Sequence, residues 1–217
     1  MKAAAVILAA GSSSRLGQPK QLVMLHEETL LDRAIRIAAE SGASPVYVVL
    51  GANAEAIRAG SKYLHSVIPT ERHDPISPNS VISTERATRV EKPVVVLQNE
   101  SWQEGIASSI RTGVHAAAGA ESILLMTCDQ PTVTAAHLRL LLEAAKQTRI
   151  AASSYADRVG IPAVFPKKSF EELLQLRGDT GARALLNEKS KEIITVSLAD
   201  GELDIDTPED LSQLPSF

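Results

Sequence analysis

The sequence predicts an α/β fold with a mostly parallel sheet, and two observations carry that expectation. Short β-branched runs alternate with longer stretches of helical period, the pattern of repeated βα units. The segments with chemical character, the glycine- and serine-rich loop after Leu8 and the later Met126-Thr127-Cys128-Asp129-Gln130-Pro131, each follow an apolar run. Parallel sheets collect their ligands at the strand carboxyl ends, where both segments fall.

The elements follow in chain order. Ala3 to Leu8 is an apolar run read as the first strand, and Thr29 to Ser41 has helical period. Val46 to Leu50 and Val94 to Leu97 are short strands rich in valine. Between them, Pro69 to Lys92 has three prolines, scattered charge and no sustained period, and is read as an irregular insertion. Glu104 to Ala118 is helical and Ile123 to Thr127 is a strand that Pro131 stops. Thr134 to Thr148 is a helix with Thr134 as its N-cap. Near the C-terminus, Thr207 can cap a turn of helix with Pro208 at its first position and Glu209 and Asp210 behind it.

With 217 residues, 44% hydrophobic and 22% charged, residues 1–217 read as one globular domain with a core of its own. A net charge of −4 and 3% aromatics argue against a nucleic-acid surface. The lone Cys128 forms no internal disulfide, and no leader or apolar run of membrane length is apparent. These features point to a cytoplasmic protein without a membrane partner.

Leu8 to Lys20, LAAGSSSRLGQPK, reads as a loop for a nucleoside triphosphate. Small residues let the N–H groups of Gly11, Ser12, Ser13 and Ser14 close around phosphate oxygens, while Arg15 and Lys20 neutralise charge. Glycine-rich turns alone are ordinary strand-to-helix connections; the two cations favour phosphate. Five residues separate Gly11 from Gly17 and Gln-Pro-Lys follows, so the Walker spacing fails, and no GxGxxG is present for a dinucleotide.

Asp129, an acid at a strand tip, suits Mg²⁺, which takes few carboxylates and completes its shell with phosphate and water. A turn-forming or capping role explains the same residue, and the phosphate loop tips the reading toward the metal. Cys128 points to the opposite face and reads as core. Asp206 by itself reads as part of its turn. His26, His65, His73, His115 and His137 lack metal-ligand spacing, and Gly11-Ser12-Ser13-Ser14-Arg15 is not a nucleophile elbow.

LAAGxSxRxGxxK, the acid after a buried strand and the late Asp204-Ile205-Asp206-Thr207-Pro208-Glu209-Asp210-Leu211 together resemble the MobA-like nucleotidyltransferase superfamily over nearly the whole chain. Asn99 to Gly105 with Ser108 and Ser109, then Gly160 to Phe165, then Gly178 to Arg183, are most similar to molybdenum-cofactor cytidylyltransferases associated with molybdenum hydroxylases. The resemblance implies a three-layer α/β/α, Rossmann-like domain of nucleotidyltransferase type. It joins CTP to a phosphorylated pterin cofactor, releases pyrophosphate, and has a molybdenum hydroxylase as transient partner.

The resemblance also distributes roles. Arg15, Lys20 and Asp129 become catalytic, and Asp129 and Asp206 hold Mg²⁺ or Mn²⁺. Leu8, Ala9, Ala10, Gly11, Ser12, Ser13, Ser14, Arg15, Lys20 and Gly51 bind nucleotide. Trp102, Gly105, Ser108, Ser109, Pro162 and Asp179 bind the acceptor. Trp102 reads equally as a packing plug, and Asp179 or Thr180 as a cap for a helix through Asn187. The resemblance also associates LAAG, with Ala10, with cytidylyl transfer and LAGG with guanylyl transfer. A methyl narrowing the loop against a purine discriminates by only about 1–3 kcal/mol, so other contacts must share the selection and ATP and GTP stay open beside the favoured CTP. Sugar 1-phosphates as acceptors, and a non-catalytic maturation factor, are the alternative readings.

Overall fold

The structure, a computed structural model, describes residues 2–65, 93–145, 149–189, 192–207 and 209–210. The expected insertion at 69–92 lies outside the described residues.

The first apolar run forms β1 (Ala3–Ala9), followed after the glycine loop by a small hairpin, β2 (Met24–Leu25) and β3 (Glu28–Thr29). Then come α1 (Leu30–Glu40), β4 (Val46–Leu50), α2 (Ala54–Gly60), β5 (Val94–Gln98), α3 (Ile106–Ala116), β6 (Ser122–Thr127) and α4 (Ala135–Ala144). The last third holds β7 (Ala151–Tyr155), β8 (Arg158–Pro166), α5 (Phe170–Leu174), α6 (Ala182–Glu188) and β9 (Ile194–Ser197). Seven strands pair in the order β5-β4-β1-β6-β8-β7-β9. β8 alone runs against the rest, so the sheet is mostly parallel, as expected.

Alternation along the strands builds the layers. Ala5, Ile7, Val46, Val48, Leu124 and Met126 pack against Leu31 and Ile35 of α1, Ile57 of α2 and Leu138 of α4. Their neighbours Ala4, Val6, Tyr47, Val49, Ile123 and Leu125 face Ile110 of α3, Leu173 of α5 and Leu185 of α6. Successive side chains of a strand point to opposite faces, so runs apolar at every position demand helices on both sides. The result is the three-layer α/β/α domain. Cys128 joins the first cluster, and burial pushes its thiol up to about 12, the state of an inert core cysteine.

The helix ends show why the boundaries fall where they do. Thr29 and Thr134 cap α1 and α4, accepting hydrogen bonds from the amides of Asp32 (3.0 Å) and His137 (3.1 Å). The helix expected from Glu104 begins at Ile106, because Gly105 at φ +116° breaks the chain after a 3₁₀ turn, Trp102–Glu104. α6 starts after Gly181 with no side-chain cap, so neither Asp179 nor Thr180 plays that part. In the C-terminal turn the acid does the capping: Asp210 Oδ2 accepts from the amides of Asp206 (3.0 Å) and Thr207 (2.7 Å).

His137 is buried, with Nε2 2.8 Å from Ser153 Oγ, and Ser153 donates onward to the Pro162 carbonyl at 2.7 Å. Burial lowers its pKa from the ordinary 6.5. A folded pKa below the unfolded one means that the stability contribution is whole above about 6.5 and is lost as pH falls through the depressed folded value. Urea midpoints should therefore drop from pH 7 toward pH 5, and His137→Gln should flatten that slope; parallel slopes for the two proteins would contradict the assignment.

Candidate functional site

The site is assembled at the carboxyl edge of the sheet from loops that follow β1, β4, β5 and β6 and from the segment after β9. After Ala9 the chain leaves β1, and the Ala10 carbonyl accepts a hydrogen bond from the Ala52 amide at 3.1 Å, joining the first two loops. Gly51 fills the narrow space between them. A Cβ there would stand 2.6 Å from Trp102 Cβ and 2.9 Å from Ala10 Cβ, so these three residues form one tight contact. Gly51→Ala should cost about 1–3 kcal/mol in urea unfolding through this overpacking, and a variant as stable as the wild type would show that the contact yields freely.

Gln21 shapes the glycine- and serine-rich loop from beneath. Its side chain is wholly buried, Nε2 donates to the carbonyls of Ala9 (2.7 Å) and Gly11 (3.3 Å), and Oε1 accepts from Ser13 Oγ (3.4 Å). Ser13, at φ +54°, also accepts from the Lys20 amide at 3.0 Å, closing the loop into a ring. Gly11, Ser12, Ser14 and Arg15 are left exposed on its outer side, while Leu8, Ala9 and Ala10 are buried. A loop whose carbonyls are tied inward is suited to present its amides outward to an anion.

Lys20 links the loop to the acids. Its ammonium is 2.5 Å from Asp129 Oδ2 and 2.9 Å from Asp206 Oδ1, and Arg15 reaches Asp206 Oδ2 at 3.1 Å. Burial alone would lower the Lys20 pKa; the Asp129 charge and hydrogen bonds to both carboxylates override it and hold the ammonium well above its ordinary value. The two acids are brought together by the backbone, since the Ile205 amide donates to the Asp129 carbonyl at 2.9 Å. Gln130 holds the same segment, donating to the carbonyls of Ile161 (3.3 Å) and Gly201 (3.2 Å). Asp204, exposed at its surface yet crowded by protein, is pushed up to about 7, first by desolvation and then by the Asp129 charge.

These donors can be tested against a divalent ion. Asp129 is buried, with 8% of its surface exposed, and its Oδ1 has no hydrogen-bond partner. A buried carboxylate oxygen left unpaired is costly unless a cation or donor meets it. Among the described residues no group of three or more acidic, histidine or cysteine side chains forms a ready-made metal cage. Two carboxylates, with phosphate and water completing the shell, fit Mg²⁺ or Mn²⁺ and do not fit a structural zinc.

The residues expected to meet an acceptor are distributed differently. Asn99 Nδ2 donates to the hydroxyls of Ser108 (2.8 Å) and Ser109 (2.9 Å), and Ser108 donates to the Gly105 carbonyl (2.8 Å). Both serines are buried, so the structure gives them to the junction of β5 and α3. Gly105 touches Asp179: a Cβ at Gly105 would lie 2.4 Å from Asp179 Oδ1, and the Gly178 carbonyl accepts from Ala107 at 3.1 Å. Asp179 is exposed there, Trp102 is half-buried beside the loop after β1, and Pro162 is buried within β8. An apolar cavity of about 140 Å³, lined by Leu8, Ile106, Ile110, Leu125, Ile161 and Arg183 among others, adjoins this region. Of that lining the sequence singles out Leu8 as a binding residue, while Gly160, Ile161, Gly181, Ala182 and Arg183 fall in the two stretches that carry the resemblance without an assigned role.

Residues 5–193 match the family model described as a MobA-like NTP transferase domain. Nicotine blue oxidoreductase of Paenarthrobacter nicotinovorans is 28% identical over 221 residues, covering 96% of this chain and 94% of the relative. The purine catabolism protein PucB of Bacillus subtilis is 29% identical over 212 residues, covering 94% of this chain and 92% of the relative. The crystal structure of Rv0371c from Mycobacterium tuberculosis H37Rv superposes with a TM-score of 0.73 at 28% identity, over 98% of this chain and 96% of that one. A second structure of that protein, a complex with manganese, gives 0.70 at 26% identity over 98% and 97%. No helix among the described residues is long and apolar enough to cross a membrane. Matched over residues 5–193, most of its length, the chain belongs to the MobA-like NTP transferase domain family.

Proposed function

We propose that this protein transfers the cytidylyl group of CTP to the phosphate of molybdenum cofactor and releases pyrophosphate. The observation that carries the reading is the placement of Lys20 between Asp129 and Asp206 at the mouth of a phosphate loop. An acceptor phosphate with a second pKa near 6 is largely dianionic at neutral pH, so its oxygen attacks the α-phosphorus without a side-chain base. The bond from the α-phosphorus to the bridging oxygen of the β-phosphate breaks, and pyrophosphate carries the electron pair away.

The chain's own work is positioning and neutralisation. The loop amides from Gly11 to Ser14 hold the triphosphate, and Arg15 and Lys20 offset charge on the departing pyrophosphate. Asp129 and Asp206 would hold Mg²⁺ or Mn²⁺, which would supply charge compensation for the triphosphate; the manganese complex of Rv0371c supports a divalent ion. Ala10 acts on base choice through its neighbours, because its methyl borders Gly51, which in turn borders Trp102. The indole that this contact positions is then the wall that a purine would meet. Gly105 and Asp179 lie next to each other on the acceptor side, with Ser108, Ser109 and Pro162 supporting it from within. The activity belongs in the cytoplasm, with a molybdenum hydroxylase receiving the product.

The name of one relative, nicotine blue oxidoreductase, favours a second reading, oxidoreduction of nicotine blue. Pyrophosphate release should be measured with Mg²⁺, molybdenum cofactor and CTP, GTP or ATP, beside a sugar 1-phosphate and beside nicotine blue with NADH or NADPH. Release that needs both CTP and the cofactor is expected. Turnover only with the sugar phosphate, or only of the dye, would replace this function, and CTP binding without any turnover would favour a maturation factor.

A further inference from the structure

The charges around Lys20 balance among themselves. Two carboxylates, Asp129 and Asp206, meet two cations, Lys20 and Arg15, and three of the four carboxylate oxygens are already bonded to them. The fourth, Asp129 Oδ1, is buried and unpartnered. The four charges of this quartet sum to zero, the neighbouring acids being Asp204 and Asp210, and to be shared by Asp129 and Asp206 a divalent ion must displace ammonium or guanidinium from oxygens they hold. A triphosphate changes the balance: it offers Lys20 and Arg15 phosphate oxygens and releases the carboxylates.

We infer that Lys20, assisted by Arg15, is a resident counter-cation that keeps a free divalent ion off the two acids until a triphosphate arrives and takes it over. This rests on the metal role given to Asp129 and Asp206 in the proposed function and adds an order to it: metal and triphosphate bind as coupled ligands. The coupling is positive because each frees charge that the other needs. Of the two cations, Lys20 matters more, since it touches both acids and its side chain is 19% exposed against 72% for Arg15. Lys20 thus has two successive partners, the carboxylates in the free protein and the phosphates in the complex.

The test needs no turnover. Free Mn²⁺ is followed by electron paramagnetic resonance while the full chain is titrated without nucleotide, for the wild type, Lys20→Met, Arg15→Met and Asp129→Asn. Lys20→Met should bind Mn²⁺ about tenfold or more tightly than the wild type, and Arg15→Met about threefold. Arg15, largely in water, can be replaced without threatening the fold and keeps the test open should Lys20→Met fail to fold. Equal or weaker Mn²⁺ binding in both folded variants, with Asp129→Asn weaker still, would overturn the coupling and leave the metal assignment standing. Binding that survives when Asp129→Asn is combined with Lys20→Met would overturn the metal assignment, and the coupling with it.

Discussion

Asp129→Asn should lower cytidylyl turnover by about 10²–10³-fold in a protein that still folds and still binds CTP. The amide keeps the shape of the side chain and its contacts at the end of β6, so the Ile205 amide and the Asp129 carbonyl remain joined. What disappears is the charge that faces Lys20 and the buried Oδ1 that has no protein partner. Asp206→Asn should fall less, because the Asp206 side chain is more open to water than that of Asp129, 36% of the side chain exposed against 12%, and screening weakens its hold on a cation. Steady-state pyrophosphate release beside the circular dichroism of each variant decides it. Turnover of Asp129→Asn equal to that of the wild type would remove Asp129 from the chemistry.

Gln21→Leu should raise the CTP dissociation constant by about tenfold and cost about 1–3 kcal/mol of stability. Leucine fills much of the same buried space but cannot donate to the carbonyls of Ala9 and Gly11 or accept from Ser13. Those carbonyls are then free to turn outward, where a phosphate would meet oxygen in place of N–H. The loss of affinity separates this role from simple packing: calorimetric titration with CTP at a temperature where both proteins are folded should show it. A folded Gln21→Leu with wild-type affinity would mean that the loop keeps its shape without the clasp.

The parts of the fold legible in the sequence are those whose burial is written as an unbroken apolar run. Ala3 to Leu8, Val46 to Leu50 and Ile123 to Thr127 each sit between two helical layers, and their β-branched or apolar residues at every position announce it. The β7–β8 hairpin escaped because its turn, Ala156-Asp157, has both residues at positive φ, 44° and 56°, without the glycine or asparagine that advertises such a turn. β9 has four residues, and α5 and α6 have five and seven, too short for periodicity to declare them.

The candidate site divides along the same line. Lys20 and Asp129 are visible because each follows a strand and carries a charge in a loop, which needs explaining. Asp206 becomes interpretable only through a long-range contact, the hydrogen bond of Ile205 to Asp129. Gln21 leaves no trace in the sequence: a single polar residue beside a lysine reads as surface, and its complete burial follows from the path of the loop above it. Ser108 and Ser109 show the opposite case, hydroxyls that look available in the sequence and are taken up by Asn99 in the fold.

The most direct test of the cytidylyl-transfer claim is to follow CTP labelled at the α-phosphorus, incubated with the protein, Mg²⁺ and molybdenum cofactor. The label should pass into the pterin product, in amounts equal to the pyrophosphate released, and should fail to do so with Asp129→Asn. Label recovered as free CMP, or left in CTP while the cofactor goes unchanged, would contradict cytidylyl transfer by this site.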